Sequence, residues 1–222
     1  MRVFCLIPAR SGSKRIKNKN IKSFYGKPII SYSINIAKKA KIFDRIYVST
    51  DSLKIAKVAK KYGAEIPFIR PKAISRDNVP DTKVRAHFIN YCKRNNIQFD
   101  YICYLYPCIP LLNPKNLKAS FNIIKNKKYE KLFSITKYTS NIERALKKNR
   151  SNEIIYRNKK FKFKRSQDLD NYYFDAGQFY WFKYGKKIIK KTLGFELSFL
   201  ETIDINTYED FKLAQKLFKI IK

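Results

Sequence analysis

Residues 7–20, IPARSGSKRIKNKN, set Arg10, Lys14, Arg15, Lys17 and Lys19 around Ser11, Gly12 and Ser13. Glycine lets a backbone approach phosphate oxygens, free amide N–H groups point inward, and ammonium and guanidinium groups neutralise charge. That is the chemistry of a polyphosphate site, although a solvated basic loop has the same composition. The segment has neither the G-x-x-x-x-G-K-[ST] spacing of a P-loop nor the G-x-G-x-x-G of a dinucleotide fold. A second stretch, residues 202–206 (TIDIN), alternates apolar and polar side chains. In extended backbone this puts Ile203 and Ile205 on one face and Asp204 and Asn206 on the other. Two oxygen-bearing side chains on one face suit Mg²⁺ beside phosphates. They equally suit the cap of the helix that follows.

The elements around these stretches alternate. Residues 2–7 form a short apolar strand that Pro8 stops, so the basic loop leaves the strand's carboxyl end. Gly26, Lys27 and Pro28 mark a turn with proline placed to open a helix. Ile30, Ser33, Ile34 and Ala37 then recur at helical spacing. Residues 45–49 are a second strand, and Asp51 is placed to cap a helix whose stripe is Ile55, Val58, Ala59 and Tyr62, with Gly63 as its stop. A strand-helix-strand-helix order predicts a parallel sheet with crossover helices.

An extended run over 65–70 leads into a polar loop and a helix over 83–94, where His87, the sole histidine, reads as packed or solvent-facing. Residues 101–105 form an apolar, central strand, and Pro107 and Pro110 then force the chain out of the sheet. Ligands of open α/β sheets bind outside the carboxyl ends of the strands, so this loop and the basic one are expected to share a site. A helix over 117–124 and a strand over 132–136 come next. Over 138–164 the chain turns polar and basic, and 153–156 and 161–163 read as short ribbon strands. A strand from Asp175, a short basic helix, a turn at Gly194, a last strand ending at Asp204 and a helix over 208–221 complete the chain. In that helix Phe211, Ala214, Phe218 and Ile221 form a stripe that Leu213, Leu217 and Ile220 widen.

Composition bounds the function. Its 222 residues, 45% hydrophobic, suffice for one domain with a full core. The balance of 49 Lys+Arg against 17 Asp+Glu gives a formal charge of +32. A nucleic-acid or anionic-membrane binder is one reading. Lysines dispersed along the whole chain, together with abundant Asn, Ile, Phe and Tyr, favour A/T-rich codon bias, with no specific nucleic-acid or membrane partner. No stretch approaches ~18 apolar residues and no signal segment opens the chain, so the expected compartment is the cytoplasm. Cys5, Cys92, Cys103 and Cys108 show no metal spacing and read as structural thiols.

The wording of the first loop resembles the signature of the cytidylyltransferases that make CMP-activated acidic sugars: the acylneuraminate, pseudaminate and 3-deoxy-manno-octulosonate enzymes. The resemblance runs from Ile7 to the final helix and implies a Rossmann-like nucleotidyltransferase fold, an α/β sheet, mostly parallel and flanked by helices. It implies a single domain over 1–222 with a protruding dimerisation arm at 138–164 that reaches toward the partner's active site. By the same resemblance Arg10, Ser13, Lys14, Lys19 and Asn20 hold the CTP triphosphate, and Ala9, Ser11 and Gly12 are expected to complete the nucleotide-binding loop. Arg70, before Pro71, matches an arginine near the cytosine, although a surface arginine before a proline reads alike. Asp77 and Thr82 belong to the same nucleotide-side loop with less weight.

Asp204 inherits the metal role. Asn206 stands where the acylneuraminate enzymes have a second acidic residue, which keeps an inactive homologue open. Residues 165–169 and 175–181 resemble the pseudaminate branch. There Arg165 offers a fork for the sugar's carboxylate, Gln167 and Gln178 offer bonds to acetamido and hydroxyl groups, and Tyr106 and Phe179 wall the pocket, with Asp175 beside them.

The expected function is Mg²⁺-dependent transfer of CMP from CTP to a nine-carbon acidic sugar, pseudaminic acid, by a homodimer. Arg10, Lys14, Lys19 and Asp204 are the catalytic group. The same reaction on legionaminic acid, N-acetylneuraminic acid or 3-deoxy-manno-octulosonate differs only in the acceptor pocket. A non-catalytic basic nucleic-acid binder is the alternative from another class.

Overall fold

The computed structural model describes residues 1–126, 129–185 and 191–221. Its strands are β1 (Val3–Pro8), β2 (Ser23–Phe24), β3 (Lys27–Pro28), β4 (Arg45–Ser49), β5 (Tyr101–Leu105), β6 (Lys131–Lys137), β7 (Leu146–Lys148), β8 (Ile154–Tyr156), β9 (Tyr173–Lys183) and β10 (Thr192–Glu196). The helices are α1 (Ile29–Ala40), α2 (Leu53–Lys61), α3 (Asp81–Arg94), α4 (Pro114–Asn126) and α5 (Tyr208–Ile221).

One six-stranded sheet carries the fold, in the order β10-β6-β9-β5-β1-β4. β1 pairs in parallel with both β4 and β5, and β10 with β6. β9 alone runs antiparallel, between β5 and β6. β1 is apolar throughout because both its faces are covered. Val3, Cys5 and Ile7 join the core formed with α1, α2 and α4. Phe4 and Leu6 face the opposite way, toward Val84, Phe88 and Cys92 of α3. The four cysteines are free and buried, as small apolar groups. Among the described residues no helix is long and apolar enough to cross a membrane.

Several local expectations are corrected. Asp51 does not cap α2; Ser52 does, its side chain accepting from the Ile55 N–H. Gly194 is not a turn but the middle of β10, opposite Phe133. A Cβ there would lie 2.5 Å from Ile135 Cδ1, so glycine is needed for close packing. The last strand ends at Glu196, and a 3-10 turn at Phe199–Glu201 separates it from Asp204. On α5, Phe211 and Ala214 are buried, while Leu213, Ile220 and Ile221 are exposed, so the apolar stripe is narrower than its sequence. Residues 161–163 form no strand: Lys159–Phe161 is a 3-10 turn capped by Asn158. The ribbon is instead β7 paired with β8. The basic helix expected before Gly194 falls largely on 186–190, outside the described residues.

Candidate active site

A cleft of about 400 Å³ opens at the carboxyl ends of β1 and β5 and the bulge of β9. Arg10, Ser13, Lys14, Lys19 and Asn20 line it from the first loop, Arg70 and Asp77 from the loop before α3, and Asp204 and Asn206 from the segment before α5. Tyr106, Gly177 and Gln178 complete it. The first loop cannot hold such a shape by itself, since its amides are mostly unpaired. Other elements fix it. The Asp51 carboxylate accepts from the Ser11 N–H at 2.8 Å and the Ser11 hydroxyl at 2.7 Å. Buried Asn20 donates its side-chain amide to Arg10 O at 2.8 Å and accepts from the Cys108 thiol, which burial pushes up to about 12.

Arg10 and Lys14 converge on an anion that the chain itself supplies. Arg10 Nη1 donates to Asp77 Oδ1 and to Gly12 O at 2.7 Å, and Lys14 Nζ lies 2.8 Å from Asp77 Oδ2. The hydrogen bond from Lys14, aided by the charge of Arg10, holds the Asp77 carboxyl below its ordinary value against opposing desolvation. Two cations meeting on one carboxylate are placed to meet on a phosphate.

The segment at 202–206 is tied to the same loop. Lys19 Nζ donates to Ile205 O at 2.6 Å, and Arg15 Nη2 donates to Asn206 Oδ1 at 2.8 Å. Ile205 is buried and Asp204 exposed, so the alternation read from the sequence persists without a strand. Neither Asp204 nor Asn206 caps α5. Thr207 Oγ1 accepts from the Asp210 N–H at 3.2 Å, and Asp210 Oδ2 accepts from Thr207 N and Asn206 N. This reciprocal pair is a capping box and leaves the Asp204 carboxylate to the cleft. Asn206 Nδ2 donates to Asp204 Oδ2. Among the described residues no three His, Cys, Asp or Glu gather as a metal cage. The Asp204 carboxylate does fit a hard divalent cation that takes its other ligands from water and phosphate, while the Asn206 oxygen is turned to Arg15.

Arg70 is 3% exposed. Its Nε donates to Ser75 Oγ at 3.0 Å and its backbone N–H to Thr50 O at 2.7 Å, so it is not a surface arginine. Burial lowers its pKa from the ordinary guanidinium value, yet not enough to discharge it. His87 lies away from the cleft lining, edge-on to Phe68 at 4.4 Å.

The acceptor-side residues divide. β9 bulges opposite Phe133 and Ile135, and the bulge turns Gly177 and Gln178 to the cleft. Gly177 there has φ +59°, a conformation that favours glycine. Ser134 Oγ accepts from the N–H groups of Gln178 and Phe179 and holds the bulge. Phe179 is a correction: it is wholly buried in the core with Trp181 and does not wall the cleft. Asp175 is also outside the lining, its carboxylate accepting from Tyr180 Oη and Gly177 N. Arg165 and Gln167 are exposed and do not line this chain's cleft; Arg165 pairs with Asp168 at 2.9 Å. Ala9, Ser11 and Gly12 support the loop without lining the cavity. The sequence reading missed Asp51 as a tether, Asp81 and Cys108 as lining residues, and Tyr180. Only the position of Asp81 beside a proline at a helix start was a usable signal.

The comparisons agree on a family. The profile described as Cytidylyltransferase matches residues 4–222. The pseudaminic acid cytidylyltransferase of Campylobacter jejuni subsp. jejuni serotype O:2 is 38% identical over 226 residues, covering 99% of this chain and 97% of that protein. The CMP-N,N'-diacetyllegionaminic acid synthase of Legionella pneumophila is 34% identical over 125 residues, 56% of this chain and 54% of that one. In fold, the chain is similar to CMP:2-keto-3-deoxy-manno-octonic acid synthetase complexed with CTP, with a TM-score of 0.73, 14% identity and 99% coverage of both chains.

Proposed function

This chain belongs to the cytidylyltransferase family, and on that premise we propose that it transfers CMP from CTP to the nine-carbon acidic sugar pseudaminic acid, releasing pyrophosphate. The observation that carries the reading is the convergence of Arg10 and Lys14 on one anion in the cleft that Asp204 also lines. The pseudaminate acceptor is supported by the relative matched over almost its whole length, whereas the legionaminate enzyme aligns over about half of this chain.

In the reaction the sugar's anomeric hydroxyl attacks the α-phosphorus, the new O–P bond forms, and the bond to pyrophosphate breaks in line. Arg10, Lys14 and Lys19 offset the charge of the triphosphate and of the leaving pyrophosphate. Ser13 and the loop amides orient the phosphates. Arg70, buried and short of partners beyond Ser75, meets the cytosine. Asp204 would hold Mg²⁺, with Asn206 donating to its carboxylate, and the ion lends a Lewis acid beside the phosphates when bound. Gln178 and Tyr106 receive the sugar.

Arg165 and Gln167 belong to the turn that follows the 138–164 excursion in the chain and are not in this cleft. Leu146, Ile154, Ile155 and Phe163 of the 138–164 excursion are exposed apolar residues, 53%, 62%, 50% and 89% accessible. A homodimer in which this arm packs against a second copy covers them and brings Arg165 toward the partner's cleft. Pyrophosphate release from CTP with a panel of acidic sugars tests the function. Preference for pseudaminic acid is the expected result; preference for N-acetylneuraminic acid rejects the assigned acceptor, and no release with any sugar rejects the reaction.

A further inference from the structure

Phenols and carboxylates meet where the end of β5 faces the bulge of β9. Tyr104 donates its hydroxyl proton to Asp81 Oδ1 at 2.8 Å, and Tyr106 donates to Asp81 Oδ2. Tyr180 donates to Asp175 Oδ2 at 2.7 Å. The Tyr106 and Tyr180 rings meet edge to face with centroids 5.8 Å apart. A phenol carries one proton, and Tyr106 gives its own to Asp81; its oxygen also meets the Tyr180 hydroxyl, so a single lone pair of Tyr106 is left to offer. Burial first, and then the carboxylate each one bonds, pushes all three phenols up, which keeps them protonated donors.

Gln178 gives a second, independent observation. It is 1% exposed and lines the cleft. Its Nε2 donates to Ala176 O at 2.9 Å, while Oε1 has no partner. The bond to Ala176 fixes the orientation of the amide, because turning it over would set two oxygens against each other. A buried acceptor without a donor is costly, and a ligand N–H or O–H removes that cost. Asp81 and Tyr106 line the same cavity.

We infer that Asp81 is a positioning residue for the acceptor sugar: by holding the Tyr106 proton it presents Tyr106 Oη as a hydrogen-bond acceptor in the cleft that Gln178 also lines. The inference rests on the CMP-transfer reading and names what the acceptor end selects. Arg10, Lys14 and Lys19 bring donors to the cleft from the first loop, while Tyr106 and Gln178 bring acceptors to it from the end of β5 and the bulge of β9. A sugar with acylamino N–H and hydroxyl groups satisfies these acceptors. Tyr106, its proton given to Asp81, has none to offer a triphosphate, whose oxygens are better served by the cations of the first loop. Tyr104, 1% exposed, holds the second oxygen of Asp81 and sets its rotamer.

The test is steady-state kinetics on Asp81→Asn, Tyr106→Phe and the double variant, with CTP and pseudaminic acid varied in turn and a thermal melt of each. Asp81→Asn should raise KM for the sugar roughly tenfold, with kcat and KM for CTP within about twofold. Tyr106→Phe should do the same, and the two together should do no more than either, since they remove one device. Equal rises in both KM values, additive effects, or a lowered melting temperature with an unchanged sugar KM would overturn the inference. If Asp81→Asn does not fold, Tyr106→Phe with an unchanged sugar KM overturns it as well. A wild-type chain that turns over no acidic sugar removes the CMP-transfer reading and this inference together. A wild type that is active beside an Asp81→Asn variant with normal sugar KM removes this inference alone.

Discussion

The Asp51 carboxylate takes two hydrogen bonds from one residue, Ser11, one from its backbone N–H and one from its hydroxyl. Ser11 follows β1 and Asp51 follows β4, the two adjacent strands of the parallel pair. The pair therefore ties a loop rich in cations and poor in internal bonds to the rigid edge of the sheet. A loop held this way keeps Arg10 and Lys14 poised on one point and ready for an anion, with less ordering left to do on binding.

Asp51→Ala should loosen that loop while the sheet stays folded. The expected result is a KM for CTP raised by about tenfold or more, from the loss of two hydrogen bonds to a charged group. The sugar KM should change little. Kinetics with each substrate saturating in turn separates this from a general loss of structure.

Asp77 occupies the place between Arg10 and Lys14, and its substitution has a distinctive sign. Asp77→Asn frees both cations, so CTP should bind more tightly in calorimetry, with the gap from wild type closing as salt screens the charges. Weaker binding would mean that Asp77 supports the triphosphate instead of standing in for it. The pH dependence follows from its lowered carboxyl. The stabilisation from its ion pairs is fully present above the ordinary carboxylate pKa and is lost as pH falls through the folded value.

Asp204 and Asp210 should exchange phenotypes. Asp204→Asn leaves the capping box intact, so the melting temperature should hold while kcat falls sharply and excess Mg²⁺ restores it only in part. Asp210→Ala breaks the cap and should cost about 1 kcal/mol of stability, with turnover per folded molecule preserved. Partial burial pushes the Asp210 carboxyl up, but the N–H groups of Thr207 and Asn206 outweigh it and the net shift is downward. Its contribution is thus also lost in acid. An Asp204→Asn variant that melts early yet turns over normally would assign Asp204 to structure.

The arm should control assembly. Ile155→Asp or Phe163→Asp puts a charge on an exposed apolar side chain and should leave the monomer fold intact. Sedimentation should then show a shift from dimer to monomer, with sugar turnover falling as Arg165 is withdrawn from the partner's cleft. A wild-type chain that sediments as an active monomer would exclude the arm from the site.

What the sequence determined on its own was local. The apolar run of β1, the helical spacing of Ile30, Ile34 and Ala37, the proline-stopped ends of β1 and β5, and the cation-rich loop all follow from period and side-chain chemistry within a few residues. Even the alternation of Asp204 with Ile205 was legible, because it depends only on neighbouring backbone. The tertiary structure decided which partners those side chains meet. Asp51 reads as a cap from its neighbours but is claimed by Ser11, 40 residues away, leaving Ser52 to cap α2. Lys19 meets Ile205 across 186 residues. Phe179 packs into the core while Gln178, also buried, lines the cleft beside a bulge set by the register of β9 against β6. Gly194 reads as a turn, yet it is a strand residue made necessary by Ile135 on the neighbouring strand. Each of these outcomes depends on strand order and register, which are fixed by packing both faces of the sheet at once, and no stretch of local sequence carries that information.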